Sequence, residues 1–262
     1  MMSGTNVKPA TATDEVVVAR EGAVMVLTLN RPAAKNALTA PMYERLTGAL
    51  AEASADAAIR AVLIEGSGGA FSAGNDINDF VRRASAGGQG PVEVLDFLRA
   101  LVTFEKPVIA AVGGVAVGIG TTLLLHCDLA YAVPEAVFST PFVRLGLVPE
   151  AASSLLLAQR IGPARASAML LGAESLSAQA AEAAGLVNEV VPAEALAAHA
   201  RAKAAAIAAF PSQAVAASRR LMRGDLAPVL ARIDEEAAIF ARAMASPEAR
   251  EAFAAFLGRK RG

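Results

Sequence analysis

The chain has 262 residues, 55% of them hydrophobic and 19% charged, which is enough to bury one large core. The 24 Lys and Arg residues nearly balance the 25 Asp and Glu residues, and a net charge of −1 argues against nucleic acid as the main partner. A single cysteine, Cys127, excludes an internal disulfide, and neither a secretory signal nor a membrane span is predicted.

The N-terminal third of the chain predicts strands followed by a helix. Residues 1–14 are small and polar, which predicts a loose tail. Val16–Val18 and Val24–Leu29 flank a glycine-containing turn, the pattern of a β-hairpin. Pro41–Glu52 has apolar residues at helical spacing, and Ala61–Ile64 predicts a short buried strand.

In the middle of the chain, strands and helices alternate. A helix is predicted over Val92–Val102 and an apolar strand over Pro107–Val112. Asp128–Ala132 and Ala136–Phe138 predict two more short strands. This order favours an α/β fold with partly parallel strand pairing.

Beyond Pro149 the pattern is helical almost throughout, apart from a short strand predicted within Gly185–Val191. We therefore divide the chain into a core over residues 15–200 and a helical C-terminal region over residues 201–262. Such a region can close over a site or form a subunit interface.

Two glycine-containing segments are candidates for binding negative charge. In Ser72–Asp76, the glycine before Asn75 allows the backbone to direct an N–H group into a cavity, although an ordinary turn has the same pattern. Gly118–Gly120 opens a buried helix whose first N–H groups lack intrahelical partners, as in an oxyanion hole. Close helix packing would also require small residues there. A third glycine is missing, so this is not a dinucleotide fingerprint.

The third candidate is Glu150, which follows Pro149. This is also a common helix-start pattern, in which the carboxylate simply caps the helix. The functional alternative places Glu150 at a cavity wall lined by Phe142, Leu145 and Leu147, where partial desolvation raises its pKa and makes it a stronger base.

Several motifs in the expected order resemble the enoyl-CoA hydratase/isomerase (crotonase) superfamily, from about Val16 to Lys260. They are Asn30-Arg31-Pro32 with Asn36-Ala37-Leu38, Phe71–Ile77, Val115–Gly120, Ser177–Ala180 and Ala184–Val187. The resemblance implies an α/β fold with a crotonase-like ββα spiral core and a helical C-terminal region.

Within that superfamily, the chain is similar to Δ3,Δ2-enoyl-CoA isomerases of the peroxisomal type. Thr122 and Phe142 stand where hydratases carry their two glutamates, and neither is a general acid or base near neutral pH. The resemblance implies that Glu150 is the single catalytic base and that the amides of Asn75 and Ile119 bind the thioester oxygen.

The same resemblance implies residues that bind the substrate and its coenzyme A moiety. They are Lys35, Asn36, Ala37, Ser72, Ala73, Gly74, Asp76, Ile77, Gly118, Gly120 and Phe142. Arg31 is a further candidate to attract the phosphates, together with Lys35. No metal and no cofactor beyond the coenzyme A thioester is expected.

Other expectations concern context. We expect an acyl-CoA substrate, no nucleic acid or membrane partner, and a homotrimer or dimer of trimers. His126 and Cys127 are interpreted as core residues, and the C-terminus is not a peroxisomal address, which favours a cytoplasmic location. Two alternatives stay open: another crotonase-type reaction such as hydration, or a non-catalytic acyl-CoA-binding module.

Overall fold

A computed structural model of the protein describes residues 14–79 and 92–259. The predicted tail over residues 1–14 therefore lies outside the described residues, except for its last position. None of the described helices is both long and apolar enough to span a lipid bilayer.

The larger sheet has six strands. In their order across the sheet they are β1 (Val16–Glu21), β2 (Val24–Leu29), β3 (Ala61–Gly66), β4 (Val108–Val112), β6 (Leu129–Ala132) and β9 (Glu189–Val190). The first two strands pair antiparallel as the predicted hairpin, and each later pair is parallel. The partly parallel α/β arrangement is thus confirmed.

A smaller three-stranded sheet adjoins the first. It consists of β5 (Val115–Val117), β7 (Val137–Ser139) and β8 (Leu176–Ser177), with β5 parallel to β7 and β8 antiparallel to β7. The chain passes from β4 to β5 through Gly114, which has a φ of 139°. A Cβ atom there would lie 2.2 Å from the carbonyl oxygen of Gly69, so only glycine allows this close passage.

Ten helices have both ends within the two described ranges. They are α1 (Ala40–Ala55), α2 (Val92–Thr103), α3 (Ile119–Thr122), α4 (Ser153–Ile161), α5 (Pro163–Leu170), α6 (Ala178–Ala183), α7 (Ala193–Ala209), α8 (Ser212–Arg223), α9 (Ala227–Met244) and α10 (Pro247–Arg259). Short 3-10 turns cover Pro32–Ala34, Leu123–His126 and Val143–Leu145.

The core lies between the larger sheet and the helices packed on it. Helix α1 packs against α2 and the hairpin, and α7 crosses β2, β3, β4 and β6. The buried residues of α7 are Leu196, Ala200, Ala204 and Ala208, which recur every fourth position. Because alanine side chains are short, this face lets the helix lie close to the sheet. Each larger aliphatic side chain buried against it contributes about 2 kcal/mol.

The alternative in which Glu150 caps a helix that starts at Pro149 is wrong, because no helix starts there. Helix α4 begins at Ser153, and Ala151 and Ala152 before it both have left-handed φ angles of 60° and 54°. The chain therefore turns sharply directly after Glu150, and the carboxylate is not part of the first helical turn.

Candidate active site

The two glycine-containing loops are joined by their backbones. The N–H of Ser72 donates to the carbonyl of Val115 (3.0 Å), and the N–H of Val117 donates to the carbonyl of Ser72 (2.9 Å). The first loop, residues 72–76, thus lies as a short parallel extension beside the second loop, residues 115–120. Main-chain hydrogen bonds therefore link the two loops directly.

Glycine is required at the contact between these loops. A Cβ atom on Gly74 would lie 2.7 Å from the carbonyl oxygen of Val117, and one on Gly120 would lie 2.8 Å from that of Ser72. Gly74 also has a φ of 88°, in the region that L side chains rarely adopt. Both predicted loops are therefore packed backbone against backbone.

The N–H groups of Asn75 and Ile119 donate to no acceptor among the described residues. Their neighbours are engaged: the N–H of Asp76 donates to Leu38, and that of Gly118 donates to Ser139. Helix α3 has only four residues, so its dipole contributes little. The prediction of an oxyanion hole therefore depends on these two unpaired N–H groups and not on a helix dipole.

The predicted coenzyme A segments lie side by side. The N–H of Ala73 donates to the carbonyl of Lys35 (2.8 Å), and the N–H of Leu38 donates to that of Gly74 (2.8 Å). Lys35 is exposed, whereas Asn36 is fully buried. The Asn36 amide donates to the carbonyls of Ser67 and Ala70, so this side chain holds loops together rather than facing a ligand.

Arg31 and Asp76 form an ion pair within the protein. The Arg31 guanidinium lies 3.2 Å from the Asp76 carboxylate and 2.9 Å from that of Glu15, and it donates to the carbonyl of Ala37. The suggested attraction of Arg31 to phosphates is therefore weakened, because its charge is already balanced. Lys35 keeps that role as a prediction.

Glu150 is buried, with 7% of its surface exposed. Its Oε1 accepts a hydrogen bond of 2.6 Å from the hydroxyl of Thr122, while its Oε2 has no hydrogen-bond partner among the described residues. A buried carboxylate oxygen without a partner is costly, since it has lost its water without replacement. Such an atom requires an explanation, and a catalytic role is one of them.

Burial raises the pKa of Glu150 to about 8. Desolvation is the main cause, and the negative charge of Glu236 adds to it, whereas the hydrogen bond from Thr122 acts in the opposite direction. A carboxyl group with this pKa both accepts and releases a proton near neutral pH.

The turn after Glu150 is held from two sides. The Nε2 of His126 lies 2.8 Å from the carbonyl oxygen of Ala151, and because a carbonyl only accepts, Nε2 carries the proton. On the other side, the Glu236 carboxylate accepts from the N–H groups of Ala152 and Ser154. Left-handed φ angles at two alanines cost about 1–2 kcal/mol each, so these contacts must maintain the turn.

A narrow, mostly apolar cavity of about 50 Å³ connects Glu150 with the first loop. Its lining residues are Asn75, Val94, Leu95, Leu98, Glu150, Ala151, Ile233, Ala237, Phe240 and Ala241. Helices α2 and α9 therefore form its walls. The expectation that Phe142, Leu145 and Leu147 line it is wrong, because none of them is among its lining residues. The Phe142 ring instead lies 3.8 Å from where a Cβ atom on Gly118 would be.

Three polar residues of the site were missed by the sequence analysis. The buried hydroxyl of Tyr43 donates to the side-chain oxygen of Asn75, and burial together with Glu150 raises the pKa of Tyr43 so that it stays protonated. Thr122 was considered only as a missing glutamate, although it binds Glu150. Glu236 lies within the acidic stretch Asp234–Glu236 and was not considered.

The remaining predicted residues lie around this centre. Ser72 is buried, and its hydroxyl donates to the carbonyl of Asn36, while Ile77 is half-buried after the first loop. His126 and Cys127 are core residues, as predicted. Burial raises the pKa of Cys127 to about 12, so its thiol stays protonated. Within the described ranges, no group of three His, Cys, Asp or Glu residues could hold a metal ion.

The chain was compared with known proteins. The family model for enoyl-CoA hydratase/isomerase matches residues 19–261. Enoyl-CoA delta isomerase 2 of Rattus norvegicus is 36% identical over 250 residues, covering 94% of this chain but only 64% of that protein's length. The 2,3-dehydroadipyl-CoA hydratase of Escherichia coli strain K12 is 34% identical over 247 residues, covering 94% of this chain and 96% of the relative. Both reaction names thus occur at similar identity.

A solved structure supports the fold. The crystal structure of an enoyl-CoA hydratase/isomerase from Pseudoalteromonas atlantica T6c is 40% identical, with a TM-score of 0.89 over 94% of this chain and 98% of that one. The predicted crotonase-like α/β fold with a helical C-terminal region is confirmed.

Proposed function

We propose that this chain, which belongs to the enoyl-CoA hydratase/isomerase family, is a Δ3,Δ2-enoyl-CoA isomerase that uses Glu150 as its single acid and base. One observation carries the proposal: the unpaired Oε2 of Glu150 belongs to the only ionisable side chain among the described residues that line the cavity. A reaction that moves one proton between two carbons needs one such group.

The two unpaired N–H groups suit a thioester carbonyl. In the proposed complex, the thioester oxygen accepts hydrogen bonds from the N–H groups of Asn75 and Ile119. Each donor contributes roughly 3 kcal/mol as negative charge develops on that oxygen. The polarised carbonyl makes the protons on C2 more acidic, which prepares them for removal.

Glu150 then transfers the proton. Its Oε2 takes a proton from C2 of a 3-enoyl-CoA, and the electrons of that C–H bond give a dienolate whose charge rests on the thioester oxygen. The protonated carboxyl returns the same proton to C4, and the double bond becomes conjugated with the thioester. No other reactant is consumed, so atoms and electrons balance.

The pKa of Glu150 fits both steps. At pH 7, a group with a pKa of about 8 is ionised in about one molecule in ten, which limits but does not prevent the first transfer. In return, the ionised form is a stronger base than an exposed carboxylate.

Hydration is the competing function, because relatives of similar identity carry hydratase names. A second carboxylate to activate water is not found among the described residues lining the cavity. At the two positions where the resemblance places hydratase glutamates, the chain has Thr122 and Phe142. These observations favour the isomerase.

Further expectations accompany the proposal. The coenzyme A moiety is expected to run along Lys35–Ala37 and Ser72–Ile77, with no metal or other cofactor. Assembly as a homotrimer or dimer of trimers through residues 201–262, and a cytoplasmic location, stay predictions.

The test is a side-by-side assay of 3-hexenoyl-CoA isomerisation and crotonyl-CoA hydration. We expect isomerisation to exceed hydration by at least about 100-fold, and Glu150→Gln to lower isomerisation roughly 1,000-fold. Calorimetry should show that Glu150→Gln still binds an acyl-CoA. A matched control is Glu235→Gln, at an exposed position on α9.

Three results would contradict the proposal. Faster hydration than isomerisation would identify a hydratase. Full turnover by Glu150→Gln would remove the assigned base. Acyl-CoA binding without turnover of either substrate by the wild type would identify a binding module.

A further inference from the structure

We propose that Glu236 is a positioning residue for the reaction: from helix α9 it fixes the turn that carries Glu150 and places a second negative charge near that base. The inference rests on the proposed function, in which Glu150 moves the proton. Glu236 itself does not line the cavity, so it would act through Glu150 and not on the substrate.

The contact is bidentate and buried. Oε2 of Glu236 accepts from the N–H of Ala152 (2.7 Å), and Oε1 accepts from the N–H of Ser154 (3.0 Å). Only 4% of Glu236 is exposed. One carboxylate therefore bridges two backbone N–H groups just after Glu150, although more than eighty residues separate Glu236 from them in sequence.

The chain around α4 needs such a partner. Its N-cap residue is Ala152, which has no side chain able to cap, and its first turn contains no acidic residue. The first N–H groups of a helix lack intrahelical acceptors, and burial makes an unpaired donor costly. Glu236 thus supplies from another helix the cap that the local sequence lacks.

The same face of α9 forms the cavity wall. Ile233, Ala237 and Phe240 line the cavity, and Glu236 lies beside them at helical spacing. A substrate chain that moves this helix would also move the cap of the turn after Glu150. The base and the wall are therefore mechanically connected through one side chain.

The charge of Glu236 acts on Glu150 as well. It contributes to the raised pKa of Glu150, and burial likewise raises the pKa of Glu236 itself. The charged neighbour on its own helix is Arg232, which pairs with Glu235 and donates to Ser154.

The elements packed against this pair bring few other charges. On α1, burial and the charge of Glu150 raise the pKa of Tyr43. On α2, Arg99 forms an ion pair with Asp234 of α9. His126 contacts the same turn, and burial lowers its pKa to about 4, so it is neutral near pH 7.

The experiment compares three variants of the full chain in 3-hexenoyl-CoA isomerisation: Glu236→Gln, Glu236→Asp and the control Glu235→Gln. Gln keeps the shape but removes the charge and one acceptor, whereas Asp keeps the charge but shortens the reach. We expect kcat to fall about ten-fold in both Glu236 variants, with KM changed less than kcat. The pH midpoint of kcat should move down by at least about half a unit only in Glu236→Gln.

The following results would overturn the inference about Glu236. Wild-type kcat and pH midpoint in Glu236→Gln would overturn the inference, and so would equal effects in Glu235→Gln. Loss of the folded state in both Glu236 variants, seen by circular dichroism, would assign the residue to stability alone and also overturn it. Glu150→Gln separates the two proposals: if it retains turnover, the proposed function fails, and if it alone loses turnover, only the role of Glu236 is wrong.

Discussion

The two glycine loops differ from the segment around Glu150 in what holds them in place. Residues 72–76 and 115–120 are held by backbone hydrogen bonds and by glycines that let the chains touch. The Glu150 side chain is held by Thr122, and the turn after Glu150 is held by the side chains of His126 and Glu236. The position of the loops should therefore depend on the absence of a Cβ atom, and the position and charge of Glu150, the proposed base, on side chains and pH.

At neutral pH, the largest effect is expected from placing a methyl group between the loops. Gly74→Ala combines a contact of 2.7 Å with an unfavourable φ, so we expect unfolding free energy to fall by about 4 kcal/mol. Isomerisation should fall with it, because the N–H of Asn75 moves. Chemical denaturation and kcat measure both.

Gly22→Ala is the matched control for that change. Gly22 also has a positive φ, of 61°, but nothing lies within 4 Å of its added Cβ, and it is in the hairpin turn. A loss of about 1 kcal/mol with unchanged kcat is expected. Equal losses in the two variants would show that close loop packing is not the cause.

The second effect concerns how the ionisation of Glu150 changes the stability of the folded protein. Between pH 4.5 and about 8 the folded state holds a proton on Glu150 that the unfolded chain releases, so this group makes stability fall as pH rises. Glu150→Gln removes that dependence. We expect the variant to be more stable than the wild type by roughly 5 kcal/mol at pH 9 and nearly equal to it at pH 4.

Denaturation curves across this pH range provide the measurement. A variant that is less stable than the wild type at pH 9 would mean that Glu150 is not held in an unfavourable buried state.

The smallest of the three effects comes from the hydroxyl of Thr122. Thr122→Val removes the hydrogen bond that lowers the pKa of Glu150, so the pKa should rise by about one unit. At pH 7, kcat/KM should fall roughly ten-fold and recover near pH 10. The control is Thr103→Val, which removes an exposed hydroxyl bound to the Arg99 carbonyl. An equal loss at every pH would indicate misplacement of the carboxylate instead.

This comparison also explains what the sequence could predict. The hairpin, five further strands and the two loops follow from short-range patterns of apolar residues and glycine, and they were predicted close to their positions. The short strands β5 and β8 were not predicted. The importance of Glu150 came from the family resemblance. Its environment did not, because the cavity walls come from α2 and α9, which lie far apart in sequence.

The role of Glu236 could not be predicted from the sequence. In Asp234-Glu235-Glu236, three acidic residues in a row suggest a solvated helix face. A signal was present, since Glu236 lies three residues after Ile233 and four before Phe240, on the apolar side of the helix. Its partners, however, are backbone N–H groups of Ala152 and Ser154, which no residue pattern reveals.

The pH dependence of kcat/KM for 3-hexenoyl-CoA isomerisation tests the central claim most directly. If the buried carboxyl of Glu150 is the base, activity should rise about ten-fold per pH unit at low pH and level off around a single midpoint near 8. A midpoint near 4.5, the ordinary value of a glutamate, or a rate independent of pH between 5 and 9 would contradict it.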